Sequence, residues 1–208
     1  MRKRKVSDDE IFNAVQRAMQ HHGPDDLTLA HIAAEAGVTP GLLVQRFGGK
    51  RELLLAVSSS FAGSAPAFFE TLREAHYRPL ATLRAYAACM AEMASTPDAL
   101  ARNFAYLQLD LTDEPFRQNL LANAIATRME LEELVRSAIR AGELRRTAKP
   151  HCLARVIEAV IGGSLMSWAC YRSGPAAAWL AEDLETVLAP YLRPVTGKGL
   201  QRPRGRSR

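Results

Sequence analysis

Apolar residues recur at helical spacing in two short stretches within the first quarter of the chain. In the first stretch they occupy the i, i+3, i+4 and i+7 positions that form one face of a helix: Leu29, Ile32, Ala33 and Ala36. Thr28 stands where its hydroxyl can cap the start of this helix. Gly37 stands where a helix commonly ends with a residue in the left-handed conformation. The pattern therefore predicts a short helix between these two residues.

The second stretch begins two residues after Gly37. Thr39 can cap it, and Pro40 suits the first helical position because an N–H would have no partner there. Leu43 and Phe47 point to one side of this helix. The side that remains exposed is mixed in character: Gly41, Leu42, Val44, Gln45 and Arg46. A helix, a three-residue turn and a short second helix form the layout of a helix-turn-helix, whose second helix enters the DNA major groove.

Two other structures have sequence patterns that partly match this stretch. A generic pair of short helices packed in a protein core has the same outline. A phosphate-binding Walker loop at Gly48, Gly49 and Lys50 is excluded, because it would need glycine at position 44 and Ser or Thr after the lysine. The chain has Val44 and Arg51 at those positions.

The helix-turn-helix stretch resembles the DNA-binding signature of the tetracycline-repressor (TetR) family. The residues that carry the resemblance are Thr28, Ile32, Ala33, Ala36, Gly37, Val38, Thr39, Gly41, Phe47, Lys50, Leu53 and Leu54, with Ile11, Ala14, Ala18 and Gly23 similar to the family's first helix. The similarity spans roughly residues 7–56. The chain departs from the family at Val44, where members usually carry tyrosine. It also departs at Leu42 and Arg46, where they usually carry an aromatic or small polar residue.

The remainder of the chain also has helical spacing and lacks strand signals. Ser7 and Glu10 form a capping-box pattern at the start of a first helix. A helix that begins near Lys50 is expected to kink or break at Gly63 and Pro66. Five more helices are predicted: 80–94, one opened by Thr96-Pro97-Asp98, a long one from Asp113-Glu114-Pro115 to near Gly142, 151–172 and 176–192.

These elements predict an all-α fold with two parts. An N-terminal three-helix helix-turn-helix DNA-binding domain is followed by a helical domain that, as the resemblance implies, binds a ligand and dimerises. The predicted segments are a basic disordered arm at 1–6, the DNA-binding domain at 7–56, the effector-binding and dimerisation domain at 57–193, and a basic disordered tail at 194–208.

Nine residues of the helix-turn-helix are candidates for DNA contact: Thr28, Thr39, Pro40, Gly41, Leu42, Val44, Gln45, Arg46 and Lys50. Phosphates would be met by the two threonines, by Lys50 and by helix N-termini. Gln45 can pair with adenine, Arg46 with guanine, and Leu42 and Val44 can contact thymine methyls. The alternative for Lys50 is a solvated surface lysine.

Candidate ligand contacts lie in the helical body. Asn123 and Thr127 interrupt an apolar stripe, so they bond either to neighbouring groups of the protein or to a ligand in a cavity. Met90, Met93, Phe104 and Tyr106 offer adaptable apolar walls, although such residues at helical spacing also form ordinary cores. The predicted effector is a small hydrophobic or amphipathic molecule.

The last two helices are more apolar than a helix that covers a small core from one side. Two of them from each of two chains would form a four-helix interface, and the resemblance implies the same dimer. Its predicted residues are Val160, Gly163, Ser164, Trp168, Leu184, Val187, Leu188 and Tyr191. The alternative is that both helices complete the core of one chain. In a dimer, two recognition helices about 34–36 Å apart would match a palindromic operator in double-stranded DNA.

The basic residues of the chain are concentrated at its two ends. The net charge of the 208 residues is +5, but four basic residues lie in 1–5 and five in 198–208, so 18 of the 27 remain in 6–197 against 22 acidic. The basicity therefore belongs to the two ends, and Arg2 to Lys5 either add DNA contacts or form a solvated end.

Three scattered cysteines and the lack of a secretory or membrane-spanning pattern favour a cytoplasmic protein.

The favoured function is a dimeric repressor that a small molecule releases from its operator. An all-helical enzyme is the contrasting hypothesis, and it lacks support because no HExxH, GxSxG or helical Glu-x-x-His pattern occurs. No catalytic residue, metal site or cofactor is predicted. A helix-turn-helix regulator whose body binds another protein remains a third possibility.

Overall fold

The computed structural model describes residues 6–193. This part of the chain folds into ten α-helices: α1 Asp8–His21, α2 Leu29–Ala36, α3 Pro40–Phe47, α4 Lys50–Phe61, α5 Ala65–Ala75, α6 Pro79–Met93, α7 Pro97–Thr112, α8 Glu114–Arg140, α9 Pro150–Tyr171 and α10 Ala176–Leu188. A short 3-10 turn, Ala189–Tyr191, follows α10. The predicted arm and tail lie outside the described residues, except for Val6. The all-α prediction is confirmed.

The helix boundaries follow the local signals in the sequence. The Ser7 hydroxyl accepts from the backbone N–H of Glu10 at 3.2 Å, and the Glu10 carboxylate accepts from the backbone N–H of Ser7 at 2.9 Å, which completes the capping box. At the starts of α2, α3 and α7, the hydroxyls of Thr28, Thr39 and Thr96 each accept from the backbone N–H three residues further on. These hydroxyls satisfy N–H groups that have no partner inside the helix.

The predicted interruption at Gly63 and Pro66 separates two helices, α4 and α5, which meet at 47°. Pro66 lies in the first turn of α5, where the absent N–H costs no hydrogen bond. The sequence analysis predicted the break but not the helix that follows it. Phe69 and Leu72 of α5 are buried in the body, so tertiary packing supplies the reason for this helix.

Two hydrophobic cores organise the molecule. The first, which we call the head core, joins α1 to α4 around Ile11, Ile32, Leu43 and Leu53. The second, the body core, joins α5 to α10 and includes Trp168. Two body residues belong to the head core, namely Tyr106 of α7 and Phe116 of α8. The head is therefore packed onto the body, and the predicted boundary at 56/57 falls in the middle of α4.

Helix α9 meets the length and composition expected of a membrane span, and the bent α4–α5 pair meets them only if it is counted as one span. Core helices of globular proteins meet the same two criteria. One face of α9 packs into the body core through Leu153, Ile157 and Ile161, as a core helix does.

Candidate DNA-binding surface and the cavity behind it

The turn between α2 and α3 is fixed by the backbone of Gly37. Its φ of 64° lies in the left-handed region, where a side chain is strained, and its N–H bonds back to the carbonyls of Ala33 and Ala34. The hydroxyl of Thr39 then accepts from the N–H of Leu42 at 3.3 Å and starts α3. The helix-turn-helix geometry predicted from the sequence is present.

Helix α3 is anchored through one face and exposed on the other. Leu43 is fully buried in the head core. Leu42 and Val44 remain 39% and 48% exposed, which is high for apolar residues on a folded chain. Six candidate contact residues of α3 are exposed together: Pro40, Gly41, Leu42, Val44, Gln45 and Arg46. This exposed face is the one that the sequence analysis predicts to contact DNA.

Arg46 is held by the protein itself. Its guanidinium donates to the carbonyl of Val6 at 2.7 Å and pairs with Asp8 at 2.6 Å, and it lies over the ring of Phe47. A contact with guanine would require at least part of this arrangement to open. The role of Arg46 in base recognition stays a prediction.

Lys50 is similarly engaged. Its ammonium donates to the carbonyls of Pro24 at 3.0 Å and Leu27 at 2.9 Å, which ties the start of α4 to the loop between α1 and α2. An ammonium has three N–H groups, so one remains for a phosphate. The hydroxyls of Thr28 and Thr39 are used as acceptors by the capping N–H groups, and their own hydrogens are still available as donors.

Three polar contacts connect the head to the body. The guanidinium of Arg51 on α4 bonds to both carboxylate oxygens of Asp113, which lies between α7 and α8, at 2.8 Å each. Arg102 of α7 donates to the carbonyl of Gln20 at 2.7 Å, and the Tyr106 hydroxyl donates to the carbonyl of His22 at 2.9 Å. The sequence analysis did not predict these contacts, because the partners are distant from each other along the chain.

A cavity of about 310 Å³ lies where the head meets the body. Its walls come from α1, α4, the end of α6, α7 and α8. The lining residues are Gln16, Met19, Leu54, Val57, Ser58, Phe61, Met93, Tyr106, Leu109, Asp110, Phe116, Asn119, Leu120 and Asn123. This size lies near the lower limit of small-molecule sites.

Three of the six predicted ligand residues line this cavity, namely Met93, Tyr106 and Asn123. Met90 and Phe104 instead pack against the body core. Thr127 lies one turn beyond Asn123 on α8 and does not line the cavity. The apolar stripe on α8 is long enough to cross from one core region to another, and spacing alone does not show where the cavity ends.

Two ionisable side chains line the cavity. Burial, together with the charge of Asp26, raises the pKa of the Tyr106 phenol to about 12. Burial also raises the pKa of the Asp110 carboxyl above its ordinary value. The phenol is therefore neutral near neutral pH, and Asp110 is the anionic group of the wall.

Not all of the eight residues predicted to form the dimer interface are exposed on a single chain. Four of its residues are buried within one chain: Ser164, Trp168, Leu184 and Leu188. The Ser164 hydroxyl bonds to Asp183, and the Trp168 indole N–H donates to the carbonyl of Gly174 at 2.9 Å. The prediction must be corrected for these four, because a partner chain has no access to them. The other four, Val160, Gly163, Val187 and Tyr191, are partly exposed.

The outer face of α9 carries a different apolar row. It consists of Cys152, Val156, Ala159, Gly163, Met166 and Cys170, at alternating spacings of four and three residues. Five of these six side chains are exposed, and Gly163 is partly exposed. Helix α9 is therefore apolar on two faces, one for the body core and one without a partner among residues 6–193.

Comparison with known proteins agrees with this architecture. Residues 11–57 match the family described as bacterial regulatory proteins, tetR family. Over 47 residues, 23% of this chain, the sequence is 47% identical to the HTH-type transcriptional regulator BetI of Brucella anthropi. That match spans 24% of the BetI length, so it concerns the head alone.

Solved structures extend the similarity to the body. A TetR transcription regulator from Haloarcula marismortui superposes with a TM-score of 0.73 at 18% identity, over 89% of this chain and 98% of that one. A TetR-family regulator from Agrobacterium tumefaciens gives 0.70 at 18% identity, over 89% and 97%. FadR from Bacillus subtilis, in complex with stearoyl-CoA, gives 0.66 at 17% identity, over 88% and 98%.

The helix-turn-helix head is, by sequence, the DNA-binding head of the tetR family of bacterial regulatory proteins. Together, head and body have the fold of solved TetR-family regulators.

Proposed function

We propose that this protein is a dimeric repressor that binds a palindromic operator and leaves it when a small molecule enters the cavity between head and body. The observation that carries the proposal is the composition of the cavity wall. Helices α1 and α4 of the head and helices α7 and α8 of the body all contribute side chains to it. A ligand there touches both parts, so its affinity depends on how they are positioned.

The switch needs a difference in ligand affinity between two arrangements of the head. Leu54, Val57 and Phe61 line the cavity from α4, and the same helix carries Arg51 of the head–body ion pair. A ligand that displaces α4 changes the position of α3, because Leu43 and Leu53 share the head core. In a dimer, this shift alters the separation of the two recognition helices.

Dimer formation is supported by the apolar row on the outside of α9. Apolar residues at alternating spacings of four and three positions form the line of contact between two paired helices, whether parallel or antiparallel. Gly163 lies in this row and has no atom within 4 Å of the position that its side chain would take, so a partner helix can approach closely. The partly exposed Val160 lies on α9, Val187 lies on α10, and Tyr191 lies in the 3-10 turn that follows α10.

Small-molecule binding in this fold has a precedent in the FadR structure, which is a complex with stearoyl-CoA. Among the comparisons, the named relatives are regulators, so the enzyme hypothesis gains no support from them.

The experiment begins with selection of the operator from a random duplex library by the purified full chain. Affinity for the selected duplex is then measured by fluorescence anisotropy at several salt concentrations, and the complex is sized by sedimentation. We expect a palindromic consensus and two chains, or a multiple of two, per duplex. Failure to select any duplex, or binding as one chain to a non-repeated site, would overturn the proposal.

A regulator whose body binds a protein is the second candidate. Leu121, Ile125 and Met129 form an exposed apolar row on α8 and are 48%, 52% and 64% exposed. Glutamate substitution at Ile125 separates the two candidates. It leaves small-molecule release of the operator unchanged in a ligand-controlled repressor, and it abolishes regulation in cells if a protein partner docks on this row.

A further inference from the structure

The cavity between head and body has an apolar wall with a single anionic group. Eight of the lining side chains are aliphatic, aromatic or thioether groups: Met19, Leu54, Val57, Phe61, Met93, Leu109, Phe116 and Leu120. Among residues 6–193, no lysine, arginine or histidine lines it. A wall of this kind favours a ligand that is apolar over most of its surface.

Asp110 is the anionic group, and it has no partner of its own within residues 6–193. No hydrogen bond or ion pair involves its carboxylate, whereas the neighbouring Asp113 is paired with Arg51 and Glu114 with Arg117. The carboxyl is half-buried against α1, α4 and α8, and burial alone raises its pKa. A partly desolvated carboxylate without a counter-charge attracts a cation more strongly than a solvated one does.

Within the described residues, four further polar side chains of the wall have no partner, whereas the Tyr106 hydroxyl donates to the carbonyl of His22. The amides of Gln16, Asn119 and Asn123 make no hydrogen bond to other side chains in the part of the chain that the structure describes, and neither does the Ser58 hydroxyl. Their oxygens can accept from N–H groups. The aromatic rings of Phe61 and Tyr106 add faces that attract positive charge.

We propose that this cavity binds a small organic cation, apolar along most of its length and ending in a protonated amine, whose N–H groups donate to the carboxylate of Asp110. The proposal rests on the proposed function, since it names the ligand class of the same cavity. An anionic ligand would meet a carboxylate and no basic group. A neutral ligand would leave the carboxylate without a partner in a drier site, which costs free energy.

The test uses three probes of matched length: phenylbutylamine, which is a cation at neutral pH, the neutral phenylbutanol, and the anion phenylbutyrate. Binding to the full chain without DNA is measured by isothermal titration calorimetry. We expect the order amine, alcohol, carboxylate, with the amine about tenfold tighter than the alcohol, as a charge-assisted hydrogen bond in a half-buried site implies.

Two variants assign the effect to the proposed residue. Asp110→Asn keeps the size of the side chain and removes its charge, so amine affinity should fall about tenfold to that of the alcohol, while alcohol affinity changes little. Asp110→Glu should retain the preference for the amine. Glu74→Gln is the matched control, because it removes an exposed carboxylate on α5 that does not line the cavity.

Equal binding of amine and alcohol by the native chain, or equal amine binding by the native chain and Asp110→Asn, would overturn the cation proposal. The function proposed above is tested separately by adding the probes to the operator complex. Amine binding through Asp110 without release of the operator would leave the cation site standing and overturn the switch. Release by the neutral alcohol alone would support the switch and overturn the cation site.

Discussion

Arg51 and Asp113 form a two-pronged ion pair that joins the first turn of α4 to the junction of α7 and α8. Both guanidinium–carboxylate distances from Nη2 are 2.8 Å, and the Arg51 guanidinium also lies 5.7 Å from the ring centre of Phe116. The hydrogen bond that Arg51 donates to the Asp113 carboxylate raises the pKa of Arg51, so the guanidinium keeps its positive charge. This contact links the helix-turn-helix head to the helical body.

We predict that breaking this pair uncouples the two parts with little loss of stability. The Arg51 side chain is half-exposed, and exposed pairs contribute about 0–1 kcal/mol. Arg51→Ala should therefore lower the free energy of unfolding only slightly, while ligand-dependent release of the operator weakens. The measurement is a double-mutant cycle of Arg51→Ala and Asp113→Ala, read by urea unfolding and by anisotropy. If the double variant loses as much ligand-dependent release as the two single variants together, the prediction is contradicted.

We predict opposite outcomes for two adjacent leucines of α3. Leu43 is fully buried, so Leu43→Ala should cost about 2–5 kcal/mol and abolish DNA binding through loss of the head core. Leu42 is exposed, so Leu42→Ala should change stability by less than about 0.5 kcal/mol. Its operator affinity should still fall about fivefold through lost apolar contact with DNA. The checks are urea unfolding and anisotropy, and an unchanged affinity for Leu42→Ala would remove this residue from the interface.

The contrast between these leucines shows how much of the site can be predicted from sequence. Thr28, Gly37 and Thr39 act on backbone within three or four residues of themselves, so their caps and turn are visible in a linear pattern. The inward position of Leu43 follows from the same periodicity. These signals were enough to predict the helix-turn-helix and its exposed face.

Contacts between distant segments were not predictable in this way. Arg51 and Asp113 are 62 residues apart, and neither has a local feature that distinguishes it from a solvated charge. Helix α9 is apolar on two faces, so its hydrophobic pattern could not show which face enters the core. That ambiguity placed Ser164 and Trp168 in the predicted dimer surface, although both are buried in one chain.

Lys50 offers a prediction about salt. If its remaining N–H contacts a phosphate, Lys50→Met should reduce the slope of log affinity against log salt by about 1 per head. The substitution also leaves the carbonyls of Pro24 and Leu27 without their donor, so unfolding must be measured in parallel. If the variant loses stability while the slope of log affinity against log salt is unchanged, Lys50 holds the loop between α1 and α2 in place and does not contact a phosphate.

Asp110 gives a prediction about pH. Its pKa in the folded chain is raised above the value of 3.8 that it has when solvated, so the folded state binds the proton more tightly than the unfolded state. The stabilisation that the Asp110 carboxyl contributes is present below pH 3.8 and is lost as the pH rises through the pKa of Asp110 in the folded chain. Asp110→Asn should thus be more stable than the native chain at neutral pH.

The difference between Asp110→Asn and the native chain should shrink as the pH approaches the ordinary aspartate range. Urea unfolding of both proteins at a series of pH values measures it, and Glu74→Gln controls for the loss of one negative charge. A native chain that is more stable than Asp110→Asn at neutral pH would contradict the burial argument for this carboxyl.

The outer face of α9 is tested by a charge placed at its centre. Met166 is 57% exposed in a single chain, so Met166→Glu should leave the free energy of unfolding of that chain within about 0.5 kcal/mol. In the proposed dimer the glutamate would face the apolar row of the partner, and the sedimenting species should become a single chain. Operator affinity should then fall by about two orders of magnitude, because the two heads no longer bind together. Leu111→Glu is the matched control, since Leu111 is 56% exposed but lies on α7, away from this row. Loss of the dimer in both variants, or in neither, would show that the row on α9 does not form the interface.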